Sequence, residues 1–217
     1  MTALNELQER IAVRQKIVEA ATSLARQAAE IKAPDARSEY LVGLAFYELE
    51  EYEPAERHLA ASFEFNRQAE TAARLALCAW RVNDLPAARQ WITRAISMDP
   101  KGRIETVIAQ TRPSYVGILA QIQLTAGEIA GAETNARAAV ALDGKDTAAL
   151  HVLATAQLIK GDAAEAQKTF DRAIASAPPF VAEKLTAEKK LASGLASANV
   201  DFSPFARDLS IVDRVVV

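Results

Sequence analysis

A helical hairpin that recurs at nearly constant spacing is the feature that most constrains how this chain can fold. Segment 69–102 contains a predicted helix over 70–82, a turn at 83–86 and a second helix that starts within the turn's last residues. Asparagine, aspartate and proline favour turns, and proline suits a first helical turn because its missing N–H needs no partner there. Ala76 and Ala88 fall where the two helices cross, so the two backbones can approach closely.

The same order of small residues, turn and second helix returns in segments 36–68, 113–146 and 147–180. The four copies start at residues 36, 69, 113 and 147, so successive starts are 33, 44 and 34 residues apart. Self-similarity at a period of this length is the signature of stacked repeats. The longer middle interval contains an insertion at 103–112, whose apolar residues at helical spacing predict a short helix or an extension of the next helix.

These four copies resemble the tetratricopeptide repeat (TPR), a helix–turn–helix unit with a period of about 34 residues. The resemblance covers a repeat domain at 34–180, although the tryptophan that opens the family consensus is absent from all four copies. It implies an all-α, right-handed superhelical solenoid. In such a solenoid the first helix of each repeat lines a concave groove.

The two ends of the chain differ from the repeats. Domain 1–33 is predicted to be one long helix over 4–31 that caps the first repeat, with a dimerising coiled coil as the alternative. At the other end, the unit 181–217 begins with a predicted capping helix over 181–198. The remaining tail, 199–217, has the β-branched and aromatic composition of a strand. A strand needs a partner, so the tail lies against the repeats, pairs with another chain or begins a further domain.

Charge and hydropathy exclude several classes of protein. The net charge is −3, with acidic and basic residues interleaved, so neither a nucleic-acid footprint nor a basic membrane-binding face is expected. No uncharged apolar run is long enough to span a bilayer, which argues against membrane insertion. The charged N-terminus lacks the apolar core of a signal peptide. We therefore expect a soluble, cytoplasmic protein.

The search for catalytic chemistry is negative. The two histidines, His58 and His151, have no second ligand at metal-binding spacing, and there is no glycine-rich phosphate loop or nucleophile elbow. The single cysteine, Cys78, lies on the predicted buried side of its helix, where it is a small hydrophobe. The sequence thus predicts no catalytic residue, no metal, no cofactor and no enzymatic activity.

Binding of a protein or peptide in the groove is then the expected function. The large aromatic and arginine side chains of the first two repeats belong to the residue types enriched at binding hot spots. We expect a helix or extended peptide with apolar anchors and some acidic residues; alternatively, the aromatic side chains pack between successive repeats. The predicted partner-binding residues are Arg37, Tyr40, Leu44, Tyr47, Arg74, Leu77, Trp80 and Arg81, and the later repeats should add Gln121, Leu124, His151, Thr155 and Leu158.

A second function follows from the resemblance alone. Repeats of this kind are similar to those that precede glycosyltransferase or sulfotransferase domains in bacterial proteins, so the chain is alternatively the substrate-recruiting half of a larger enzyme. Self-association through the N-terminal helix or the C-terminal tail is a further expectation.

Overall fold

Ten α-helices follow one another in the part of the chain that the computed structural model describes, which is residues 3–31, 33–105 and 111–197. They are α1 Ala3–Ala29, α2 Ala36–Glu48, α3 Tyr52–Phe65, α4 Ala69–Arg81, α5 Leu85–Met98, α6 Tyr115–Thr125, α7 Ile129–Leu142, α8 Thr147–Ile159, α9 Ala163–Ser176 and α10 Pro179–Ser197. Helices α2 to α9 form four successive hairpins, each packing against the next. The predicted all-α solenoid of four helical repeats is confirmed.

The four hairpin turns share one backbone geometry. In each turn the second residue after the first helix has a positive φ, and the next residue donates its N–H to the carbonyl five positions earlier. This is the Schellman type of helix ending, which satisfies carbonyl groups that the helix leaves unpaired. The four positive-φ residues are Glu50, Asn83, Gly127 and Gly161. Their equivalence shows that the sequence repeat is also a structural one.

Small residues allow the helices of each hairpin to cross closely. The fourth residue of every second helix is an alanine, and all four are buried: Ala55, Ala88, Ala132 and Ala166. In the first hairpin Gly43 on α2 faces Leu59 on α3, and an added Cβ at Gly43 would lie only 2.7 Å from Leu59 Cγ. A larger side chain would therefore push the helices apart.

The two end helices pack as the sequence predicts. Helix α1 is a single helix that packs against α2 through the buried Ala21 and Ala28, while the coiled-coil alternative stays a prediction. Helix α10 packs against α9 and α8 and buries Val181 and Leu185 completely. The predicted strand at 199–217 lies outside the described residues.

The described residues of the insertion do not extend the next helix. Its described residues, 103–105 and 111–112, are not helical, and α6 begins only at Tyr115. Instead, the two sides of the insertion approach each other in an antiparallel bridge between Arg103 and Ser114. The N–H of Ile104 donates to Pro113 O at 3.1 Å, and the N–H of Tyr115 donates to Gly102 O at 3.0 Å. We call residues 102–105 and 111–115 the neck. The predicted extension of the next helix is wrong, since residues 111–114 are not helical. The predicted short helix falls mainly on 106–110, which lies outside the described residues.

Candidate functional site

The first two repeats bring the eight predicted binding residues together on two neighbouring helices. Four lie on α2 and four on α4, each set at the spacing of three or four residues that places side chains on one face of a helix. The hydroxyl of Tyr40 on α2 donates to Glu70 Oε1 on α4 at 2.6 Å. Farther along, Arg81 Nε on α4 lies 3.4 Å from the hydroxyl of Tyr47 on α2. We call this contact line between α2 and α4 the seam.

The predicted apolar groove residues Leu44, Leu77 and Trp80 are buried and do not form an exposed patch. Leu44, Leu77 and Trp80 are 8%, 1% and 6% exposed, respectively. The indole N–H of Trp80 donates to Thr125 Oγ1 at the end of α6, 2.9 Å away. Tyr47 is also buried and makes an edge contact with the ring of Tyr52, with centroids 5.6 Å apart. These side chains pack within and between repeats, which is the alternative interpretation of the sequence.

The later repeats behave in the same way. All five predicted groove residues are buried: Gln121, Leu124, His151, Thr155 and Leu158. The ring of His151 is covered by α10, whose Glu188 Oε2 lies 2.7 Å from His151 Nε2. These five side chains therefore do not form an exposed surface in this structure.

Arg74 is the polar centre of the seam. Its residue is only 3% exposed, and its Nη2 donates to the backbone oxygen of Glu105 in the neck at 2.7 Å. Glu70 Oε1 lies 3.8 Å from the same nitrogen. Within the described part of the chain, Arg74 Nε has no hydrogen-bond acceptor. A buried N–H without an acceptor is costly, so this network is incomplete.

A second buried charge lies near the two arginines of α4. Glu48 is 8% exposed, and its burial raises the pKa of the carboxyl group, although the positive charges of Arg74 and Arg81 oppose this rise. Burial likewise raises the pKa of the Tyr40 hydroxyl. In both groups burial opposes ionisation, since desolvation disfavours the charged form.

Only part of the seam is accessible. Arg37 is exposed, Tyr40 and Arg81 are half-buried, and the Glu70 side chain is 46% exposed. We call these four accessible residues the mouth of the seam, which is therefore polar and aromatic. The buried residues Leu44, Leu77, Trp80 and Arg74 form the floor of the seam.

Known structures with the same arrangement of hairpins identify the fold. YrrB, described as a TPR protein with an unusual peptide-binding site, is 15% identical, with 80% of this chain and 87% of that chain covered and a TM-score of 0.57. The chain has the tetratricopeptide-repeat fold. PilF of Pseudomonas aeruginosa is 12% identical over 88% of this chain and 91% of its own, with a TM-score of 0.59. MamA is 16% identical over 81% of this chain and 95% of its own, with a TM-score of 0.55. No family model and no curated protein matches the sequence.

The TPR fold of this chain also contains an apolar cleft that the sequence did not indicate. It lies between α1 and α2, has a volume of about 320 Å³ and is lined mainly by alanine, valine, leucine and phenylalanine side chains. Val18 and Leu49 at its walls are 50% and 40% exposed. The cleft could not be found by periodicity, since its two walls are separate helices whose distance apart depends on packing.

The TPR hairpins bring no metal ligands or reactive groups together in the described ranges. These residues include no group of three histidine, cysteine or acidic side chains that could hold a metal ion. Burial raises the pKa of the Cys78 thiol to about 12, so it is protonated and unreactive at neutral pH. His58 Nδ1 lies 2.7 Å from Glu39 Oε2, and the histidine ring stacks on Phe46. No helix in the described part is both long and apolar enough to cross a membrane.

Proposed function

We propose that this chain is a non-catalytic protein-binding module that holds a segment of a partner at the mouth of the seam between α2 and α4. Stacked helical repeats recognise partners on the extended surface lined by their first helices. YrrB, which shares the fold, is described as having a peptide-binding site, and this supports peptide binding as the mode.

The observation that carries the proposal is the set of accessible side chains at this mouth. Arg37, Tyr40 and Arg81 combine two guanidinium groups with one aromatic ring, and such residues dominate binding energies at many interfaces. The hydrogen bond from Tyr40 to Glu70 holds the ring in place before a partner arrives. Preorganisation of this kind lowers the entropic cost of binding.

The buried floor changes the expected chemistry of the partner. Because Leu44, Leu77 and Trp80 already pack inside the protein, they are not free to receive apolar anchors. The accessible groups instead favour acidic and polar side chains, which can bind Arg37 and Arg81.

The test begins with selection of peptides from a random displayed library on the intact chain. The selected peptides are then titrated against the Arg37→Ala, Tyr40→Ala double variant, and we expect at least about a tenfold loss of affinity because hot-spot truncations commonly cost more than 1 kcal/mol. Arg57→Ala is the control, since Arg57 is an exposed arginine on α3, outside the seam. Peptides that bind the double variant as tightly as the parent would refute the proposed site.

Trp80→Ala is unsuitable for this test. The indole is buried and bonded to Thr125, so its loss would destabilise the fold rather than remove only a contact with the partner. The Arg37→Ala, Tyr40→Ala double variant and the Arg57→Ala control must likewise first show the same thermal unfolding as the parent.

A further inference from the structure

One side of helix α10 packs on the preceding repeat. Val181 and Leu185 are fully buried there, and Ala192 is 8% exposed. On the same helix Glu188 Oε2 lies 2.7 Å from Nε2 of His151 on α8. Helix α10 thus packs on α9 and α8 in the way that α6 packs on α5 and α4, which is the position of the first helix of a repeat.

The opposite side of α10 faces solvent in the described part of the chain. Leu191 is 59% exposed, whereas leucine is one of the residues most often buried. Glu183, Ala187, Lys190 and Gly194 are exposed as well. Residues three or four positions apart share one face of a helix. We call these five residues the open face of α10.

The centre of the open face corresponds to a position that is buried in every repeat. In the first repeat this position is Gly43, which faces Leu59 on the second helix. The equivalent residues are all small, all buried and each twelve positions before the buried alanine of the second helix: Gly43, Ala76, Ala120 and Ala154. Ala187 follows Ala154 by 33 residues, which is close to the repeat period, but it is exposed. Helix α10 therefore has the features of a first helix, with no second helix against it in the described ranges.

The residues that follow α10, 198–217, lie outside the described part, but their sequence contains the start signal of a helix. Serine is a preferred N-cap residue and proline suits the first helical position, and Ser203 is followed directly by Pro204. Helix α5 begins in a similar way, with the Asp84 cap and Pro86 in its first turn. A helix that begins at Pro204 leaves residues 198–203 as its connection to α10. Six residues fall within the usual range of about 2–8 for a connection between packed helices.

Apolar residues after Pro204 recur at the spacing of a second helix. Successive members of the stripe are four, three and four positions apart: Phe205, Leu209, Val212 and Val216. The buried residues of α5 begin with the same spacing of four and three: Ala88, Ile92 and Ala95. The composition of this segment predicts a strand, but β-branched residues lower helix propensity only slightly and packing can override them. The spacing therefore favours a helix that packs on a neighbour.

We propose that residues 204–217 form the second helix of a fifth hairpin and pack antiparallel on the open face of α10. The apolar stripe then covers Leu191. Ala187 and Gly194 let the two backbones approach closely, and a Cβ added at Gly194 meets nothing within 4 Å, which leaves room for a large side chain such as Phe205. The short connection gives this segment a high effective concentration at the open face, so it has an advantage over a separate partner. The open face belongs to α10, so this proposal does not depend on the function proposed for the seam.

The experiment measures how fast single introduced thiols react with Ellman's reagent in the full chain. The native Cys78 is completely buried, so it adds no background and its lack of reaction shows that the repeats remain folded. We expect Ala187→Cys to react at least about tenfold more slowly than Ala138→Cys, since a packed thiol reacts only after local opening. Ala138 is the matched control because it is an exposed alanine in the middle of α7.

A change in the covering segment identifies what protects the thiol. The Leu209→Asp, Val212→Asp double variant disrupts the apolar stripe without touching α10. In this background Ala187→Cys should react as fast as Ala138→Cys, while Cys78 stays unreactive. Cysteines introduced one at a time along 204–217 should be protected at every third or fourth position, which is the period of a helix face.

Three results would overturn the proposal. Equal rates for Ala187→Cys and Ala138→Cys in the parent background would show that nothing covers the open face. Protection of Ala187→Cys that persists in the double variant, or that rises with protein concentration, would mean that another chain covers it. Protection at every second position of 204–217 would identify a strand, as the composition of the segment predicts.

Discussion

Replacing Gly102 with alanine tests the neck directly. An added Cβ at this position would lie 2.0 Å from Cε2 and 2.6 Å from Cδ2 of Tyr115. Ordinary contacts between carbon atoms are about 3.5–4.0 Å, so the ring or the neck must shift by roughly 1.5 Å. Neither can move easily, because Tyr115 is 3% exposed and its N–H donates to Gly102 O.

The cost follows from this overlap. Overpacking a well-filled site typically costs about 1–3 kcal/mol, and we expect the upper end because both residues share a backbone hydrogen bond. For a chain of 150–250 residues, 1 kcal/mol lowers the midpoint of thermal unfolding by about 2–4 °C, so Gly102→Ala should lower it by about 6–12 °C. The measurement is thermal unfolding followed by circular dichroism at 222 nm, the wavelength of the helical signal.

The chain supplies a matched control in the next repeat. Gly144 follows Leu142 and Asp143 in the corresponding loop, and a Cβ added there meets nothing within 4 Å. Gly144→Ala should leave the unfolding midpoint unchanged or raise it slightly, since alanine restricts the unfolded chain. In a Tyr115→Ala background, Gly102→Ala should cost much less because the colliding ring is gone. A Gly102→Ala variant that melts like the parent would refute the packing of the neck against Tyr115.

Three further predictions concern the buried parts of the repeats. Ala88→Trp and Ala166→Trp should each destabilise the protein by about 1–3 kcal/mol or more in urea unfolding, because both alanines are fully or almost fully buried at helix crossings. Two variants that are each as stable as the parent would contradict this. Cys78 should not react with Ellman's reagent in the native protein at neutral pH but should react after unfolding, since its pKa is raised to about 12. Burial raises the pKa of Glu48 in the folded protein. The protonated carboxyl group therefore stabilises the fold below the ordinary pKa of glutamate, and this stabilisation is lost as the pH rises through the folded-state pKa. Glu48→Gln should therefore raise the unfolding midpoint at neutral pH but not in acid, and a lower midpoint at neutral pH would show that attraction to the two arginines outweighs desolvation.

Local signals in the sequence were sufficient to predict the hairpins. The helix predicted over 70–82 is α4, Ala69–Arg81, and its turn forms at Asn83 as expected. These boundaries depend on residues that are close in sequence, namely the turn residues, the proline that starts α5 and the alanines at the crossing. Each hairpin could therefore be found without knowledge of its neighbours.

Whether the predicted binding residues are buried or exposed depends on contacts with residues distant in sequence. Arg74 is 31 residues from Glu105, the neck residue whose carbonyl it binds. Trp80 is 45 residues from Thr125, which accepts its N–H. Residue type and helical spacing identified both as members of one helix face, but neither property says what will cover that face. The sequence therefore predicted which residues share a helix face but left open whether that face receives a partner or packs between repeats.

The middle of α4 is buried, so only its two ends are accessible. Every residue from Thr71 to Trp80 is buried, because α2 and α3 precede this helix, α5 and α6 follow it, and the neck crosses near Arg74. In stacked repeats, stability comes from each unit and from its interfaces with the next. A helix with partners on all sides stabilises the solenoid strongly but offers little surface to another protein. The accessible side chains near α4 are therefore those at its two ends, Glu70 and Arg81, and at the start of α2, where Arg37 is exposed.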